Sequence, residues 1–175
     1  MGPTSLFVRG PFCGSTGYAH HTREFVRELA RKGVALQLES VPGWGSDEPV
    51  PAESADYWYA TLNGPVVARI ALQFCMPHQT EEHPDLIDVN CTKFEADRIP
   101  STWVALSKLF DWTVVPTEFS RIAWIESGAP EKRLRVCPLG VRSELFTGTH
   151  EPWPVVLTNG RPLATYRFRF LNVSD

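Results

Sequence analysis

The chain has 175 residues, enough for one domain with a core of its own, and its 43% hydrophobic and 21% charged content is ordinary for a globular protein. A net charge of −3, from 17 basic and 20 acidic residues, gives no support for nucleic-acid binding or for electrostatic anchoring at a membrane. No apolar run is long enough to span a bilayer, and the start MGPTSLFVRG lacks a charged segment followed by a long apolar one, so no secretory signal is visible and a cytoplasmic location is expected.

Residues 5–9 (SLFVR) form a short apolar run suited to a buried first strand, and residues 10–17 (GPFCGSTG) a glycine-rich turn. Residues 18–32 read as a helix: Phe25, Val26, Leu29 and Ala30 recur at helical spacing, while Arg23, Glu24, Arg27, Glu28, Arg31 and Lys32 cover the other face. Gly33 is placed to end it, and residues 34–38 (VALQL) alternate as a second strand. A strand–helix–strand unit of this kind implies a parallel sheet. Residues 41–51 are a Pro/Gly-rich loop, 54–62 a short helix, 66–74 a strand, 76–84 a polar surface loop, 86–94 a strand, and 100–110 a helix with Trp103, Leu106, Leu109 and Phe110 facing inward.

Residues 111–115 (DWTVV) are a β-branched run closed by Pro116. Thr117 opens a helix with Glu118 in its first turn, Gly128 ends it, and Ala129-Pro130 breaks the chain before residues 134–136 resume as a strand. The predicted fold class is α/β: a single Rossmann-like domain whose parallel sheet is flanked by helices on both faces. After Val141 the pattern thins into turn-rich segments at 151–154 and 159–162, and residues 167–173 (RFRFLNV) read as the opening of a new strand.

Cys13, Cys75, Cys91 and Cys137 are widely spaced with no C-x-x-C pair, which fits buried free thiols in a reducing compartment better than a zinc site. The glycine-rich turn lies between a strand and a helix, where outward-pointing amides can cradle a phosphate without a cationic side chain. Its spacing is neither G-x-G-x-x-G nor a P-loop, and a tight turn without a ligand fits the residues equally well. Tyr18 beside it could pack on a ligand or serve as an ordinary first-turn aromatic. His20 and His21 are more simply solvated or capping residues. His78 and His83 flank Glu81-Glu82, but the spacing is not H-E-x-x-H and the neighbouring prolines favour a solvated acidic loop over a metal site.

Three segments together, FEADRIPSTW, VVPTEFSRIAWIESGAP and VCPLGV, resemble the first domain of a nucleotide-sugar glycosyltransferase of the GT-B fold, in which two Rossmann-like domains face each other. The similarity is to the large retaining family 4, and it runs over most of the chain, from the glycine-rich loop to the PLGV turn. The resemblance implies that residues 1–150 are an N-terminal, acceptor-side domain. It implies that 151–175 are an interdomain linker and the first strand of a C-terminal domain missing from this chain. The implied reaction moves a sugar from a nucleotide-diphosphate sugar to a hydroxyl of a sugar, lipid or other acceptor, with no cofactor and no metal. Positioning and stabilisation of the departing diphosphate would do most of the work. The donor would be held by the second domain, in cis or as a separate chain, so the chain by itself is expected to be inactive.

By the same resemblance Gly14, Ser15, Thr16 and Gly17 take the loop positions that touch donor phosphates or the acceptor, with Tyr18 beside them. Glu95 takes the place of the cleft residue, often a histidine in that family, that comes near the transferred sugar. Its carboxylate could orient an attacking hydroxyl. Asp97 and Arg98 join the substrate-binding set. The residues also allow Glu95 or Asp97 to cap the next helix, with Arg98 paired to one of them. Glu118 and Ser120 are first explained by capping with Thr117. Trp103, Trp112 and Trp124 are assigned to packing, and Trp44, in a glycine-rich loop, is a candidate stacking platform.

Two other readings fit the residues. In one, the chain is a non-catalytic half-protein or binding module whose residues 167–173 add a strand to a partner that completes the donor site, or self-associate through that edge. In the other, it is a small Rossmann-like enzyme for a different phosphate ligand, with Glu39 at the end of the second strand as ribose partner, against which the glycine spacing counts.

Overall fold

The computed structural model describes residues 4–14, 16–44, 57–141, 143, 148 and 154–167. They belong to two compact units that divide between Leu139 and Gly140. In the first unit six strands, β1 (Ser5–Gly10), β2 (Ala35–Ser40), β3 (Ile70–Phe74), β4 (Ile87–Cys91), β5 (Trp112–Val115) and β6 (Leu134–Val136), form one sheet in the order β2-β1-β3-β4-β5-β6. Every pairing is parallel. The predicted α/β Rossmann-like domain is therefore the fold.

Register assigns the two faces. Val8 stands beside Leu38 and Leu72, Leu72 beside Val89, and Val89 beside Trp112, so these share one face. Helix α1 (Gly17–Arg31) covers it, with Val26 and the flanking Phe25 and Leu29 packed on Leu6, Val8, Leu36 and Phe74. The opposite face carries Val115 and Leu134. Helices α2 (Ser101–Leu106) and α3 (Glu118–Glu126) lay Val104, Ala123 and Trp124 over them. Alternation along strands and a 3.6-residue stripe on each helix thus build two apolar layers, one on each side.

Local chemistry sets the element ends. Thr16 accepts a hydrogen bond from the Ala19 amide and caps α1, and Thr117 does the same for the Ser120 amide and α3. Both helices are followed by a glycine in the left-handed region, Gly33 at φ +75° and Gly128 at φ +98°. α2 is shorter than the predicted 100–110 helix. The Ser107 hydroxyl bonds back to the Val104 carbonyl, and the next two amides close tight turns onto Ala105 and Leu106. The predicted strand at 66–74 begins only at Ile70, and the predicted helix at 54–62 is a 3-10 helix over Tyr57–Leu62, its residues 54–56 lying outside the described ones. Asn63 bridges Leu36 in parallel and accepts the Leu38 amide at 2.8 Å, which occupies part of the outer edge of β2.

In the second unit Val156 bridges Pro162 across a turn at Gly160 (φ +78°), and a 3-10 turn covers Leu163–Thr165. The strand expected at 167–173 lies, apart from Arg167, outside the described residues. Among the described residues no helix is long and apolar enough to cross a membrane.

Candidate functional site

All six strands point the same way, so the loops after their carboxyl ends gather along one edge of the sheet. The order β2-β1-β3 changes direction between β1 and β3, and ligand crevices in open α/β sheets form at such a switch point. Here the switch point is filled by the protein's own side chains. Tyr18, in the first turn of α1, reaches across to the β4 loop, where its Oη accepts the Lys93 backbone amide at 2.6 Å. Trp44 from the β2 loop packs on the Tyr18 ring with centroids 4.4 Å apart and donates its indole N–H to Gln79 Oε1 at 2.9 Å. The Lys93 ammonium stands over the Tyr18 ring, 4.4 Å from its centroid. Burial pushes the Tyr18 phenol up to about 12, so it stays a neutral brace between α1 and the β4 loop.

The glycine-rich loop divides by role. Gly10 ends β1 where an added Cβ would lie 2.9 Å from Thr22 Cγ2 and 3.1 Å from Phe74 Cβ, so this glycine serves helix–strand packing. Gly14 has φ +81°, and its carbonyl accepts from the buried Arg23 guanidinium, as does that of Phe12. The Thr16 hydroxyl is engaged as the α1 cap. Gly17 has nothing within 4 Å of an added Cβ and leaves open space at the helix start. Ser15 lies outside the described residues. A small apolar pocket of about 260 Å³ sits beside this loop, lined by Phe12, Cys13, Val41 and Trp44 among others.

The larger depression, about 590 Å³, lies at the ends of β4, β5 and β6. It is lined by Lys93 and Glu95 after β4, by Thr117 and Ser120 at the start of α3, and by the apolar Phe94, Pro116, Phe119, Pro138 and Leu139. Glu95 is exposed and has no hydrogen-bond or ion-pair partner among the described residues. Lys93 is half-buried, and that burial holds its ammonium below the ordinary lysine value, with Glu95 acting weakly in the other direction. Thr117 and Ser120 share a hydroxyl–hydroxyl contact of 2.9 Å at the groove wall. Glu118 points elsewhere, paired with Arg121 at 2.5 Å.

The structure brings Glu95 and the α3 cap into one groove but leaves Asp97 and Arg98 out of its lining. Both are exposed, and neither caps α2: its N-cap is Pro100, without a side-chain bond. The alternative in which Glu95 or Asp97 caps α2 is therefore not realised, and Arg98 has no ion-pair partner among the described residues. The Pro100 carbonyl accepts the Trp103 and Val104 amides at the helix start instead. Glu39, the ribose candidate, is held by Arg9 at 2.9 Å. The 76–84 segment is no freely solvated loop. Glu81 pairs with Arg9 at 2.6 Å, Gln73 bonds the Glu81 carbonyl, and His83 meets the buried Asp88 at 2.8 Å. Trp44, considered as an exposed platform, is half-buried on Tyr18. The four cysteines are all free, but only Cys75 is buried; Cys13 and Cys91 are partly buried and Cys137 is exposed.

Lys93 and Phe119 are the groove residues that sequence reasoning passed over. The chain matches no family model, no curated protein and no solved structure.

Proposed function

We propose that the groove at the ends of β4, β5 and β6 is the acceptor pocket of a sugar-transferring enzyme, and that this chain is the acceptor-side domain of a retaining GT-B-type glycosyltransferase. The observation that supports the reading is the meeting, in the lining of one groove of about 590 Å³, of Glu95, Lys93, Thr117, Ser120 and the aromatic Phe94 and Phe119. Sugars present hydroxyls around an apolar ring face, and such a mixed lining suits them. Glu95 is the group placed to touch the reacting hydroxyl, where its carboxylate orients the attacking oxygen. Thr117 and Ser120 hydrogen-bond neighbouring hydroxyls, and Phe119 covers an apolar face. The nucleotide and its diphosphate belong to a second domain, supplied in cis or by a separate chain.

The test is an amide-resolved NMR titration of the chain with hexose acceptors. Residues 93–95 and 117–120 should shift, Glu95→Ala should weaken the response several-fold, and the chain by itself should transfer no sugar. Shifts confined to other regions, or none at high sugar concentration, would sink the reading.

A further inference from the structure

Among the described residues, the cations along the carboxyl edge of the sheet are matched by acceptors except for Lys93 and the exposed Arg98. Arg9 holds Glu39 and Glu81, Arg23 binds the carbonyls of Phe12 and Gly14, and Arg121 holds Glu118 and Glu131. Lys93 has no carboxylate within ion-pairing distance among the described residues, and its ammonium rests on the Tyr18 ring. It is also half-buried and lines the groove that holds Glu95. A partly desolvated cation without an anionic partner gains from one more than an exposed lysine does, because water screens it less.

We propose that the hydroxyl compound taken by this groove is anionic, a sugar phosphate or a sugar carboxylate, with its anion paired to Lys93 and its reacting hydroxyl at Glu95. This rests on reading the groove as a sugar-acceptor pocket. Lys93 and Glu95 both line the groove and form no ion pair with each other. The arrangement selects orientation as well as charge. An anion at the Glu95 end would meet a carboxylate, so a bound acceptor is turned with its anion toward Lys93. Phe119 and Leu139 add apolar wall beside the hydroxyl-bearing Thr117 and Ser120.

Affinities of the 175-residue chain for glucose 6-phosphate, glucuronate, methyl glucoside and inorganic phosphate, measured by NMR titration, test this. Glucose 6-phosphate or glucuronate should bind roughly tenfold or more tighter than methyl glucoside, and which of the two leads separates phosphate from carboxylate. Lys93→Met should abolish that advantage, while Lys93→Arg should keep most of it, which separates charge from packing on Tyr18. Equal binding of charged and neutral sugars, or an advantage that survives in Lys93→Met, overturns the anionic acceptor and leaves the sugar groove standing. Inorganic phosphate binding as tightly as glucose 6-phosphate means an adventitious ion only and also overturns it. If no sugar of either kind binds, the sugar-acceptor reading itself has failed.

Discussion

At the scale of single residues, the glycine-rich loop shows how one residue type serves different physical needs. Gly10 allows β1 and α1 to approach, whereas Gly14 supplies a left-handed backbone. A methyl at position 10 would meet the Thr22 methyl and the Phe74 backbone region, and both neighbours are buried. Gly10→Ala is expected to lower stability by about 1–3 kcal/mol through overpacking. Gly17→Ala, which meets open space, should be close to neutral. Urea unfolding of the two variants checks this, and an equal cost at both positions would contradict it.

His21 is the residue whose titration reports burial. It lies edge-on to Phe74 and near Phe25, and its Nδ1 is buried without a hydrogen-bond partner. Burial first, then the nearby Lys93 and His20 charges, lower it from 6.5 to about 4. The unfolded chain takes up this proton on acidification before the folded chain does. The contribution is therefore intact above about pH 6.5 and lost progressively as pH falls toward 4. His21→Phe, which keeps the ring contacts, should flatten the fall in unfolding free energy between those pH values. Denaturant midpoints measured across the range for both proteins decide it; an unchanged slope would assign the effect to other groups.

At the scale of elements, helix boundaries are set by local chemistry and were legible: Thr117, Gly33 and Gly128 act within a few residues of themselves. The polar side of the sheet was not. Register aligns Arg9, Gln73, Asn90 and Thr113 in one row across four strands, all buried. No alternation of apolar residues announces such a row, because each member looks like a surface residue in its own strand. The row is nearly satisfied. Asn90 gives its amide N–H groups to the carbonyls of Gln73 and Cys75, which turns its Oδ1 away from β3, while that oxygen and the Thr113 hydroxyl have no partner. Thr113→Val keeps the shape and removes an unpaired buried hydroxyl, so it should stabilise the fold by about 1 kcal/mol. A lower thermal midpoint instead would contradict the cost assigned to the unpaired hydroxyl.

At the scale of the whole molecule, the carboxyl edge of the sheet is an assembly of distant segments. Tyr18 and Lys93 lie 75 residues apart in sequence, and Arg9 and Glu81 lie 72 apart. The groove draws on the loops after three strands, and its reading as an acceptor pocket makes Glu95→Ala and Lys93→Met the variants that test activity in a protein that carries the donor domain. Glu95 could be singled out because it follows a strand directly. Lys93 could not, because its significance depends on the absence of a carboxylate that only three-dimensional neighbours reveal.

The sequence by itself determined the α/β class, the parallel pairing, the Thr117 cap and the glycine stops, since propensity, periodicity and capping act over a few residues. Tertiary structure alone decided the strand order, the polar row beneath the 76–84 segment, the filling of the switch point by Tyr18 and Trp44, and the choice of the β4–β6 groove as the open site. Those features depend on which strands become neighbours and on which charges find partners across the sheet, and both are settled by long-range packing.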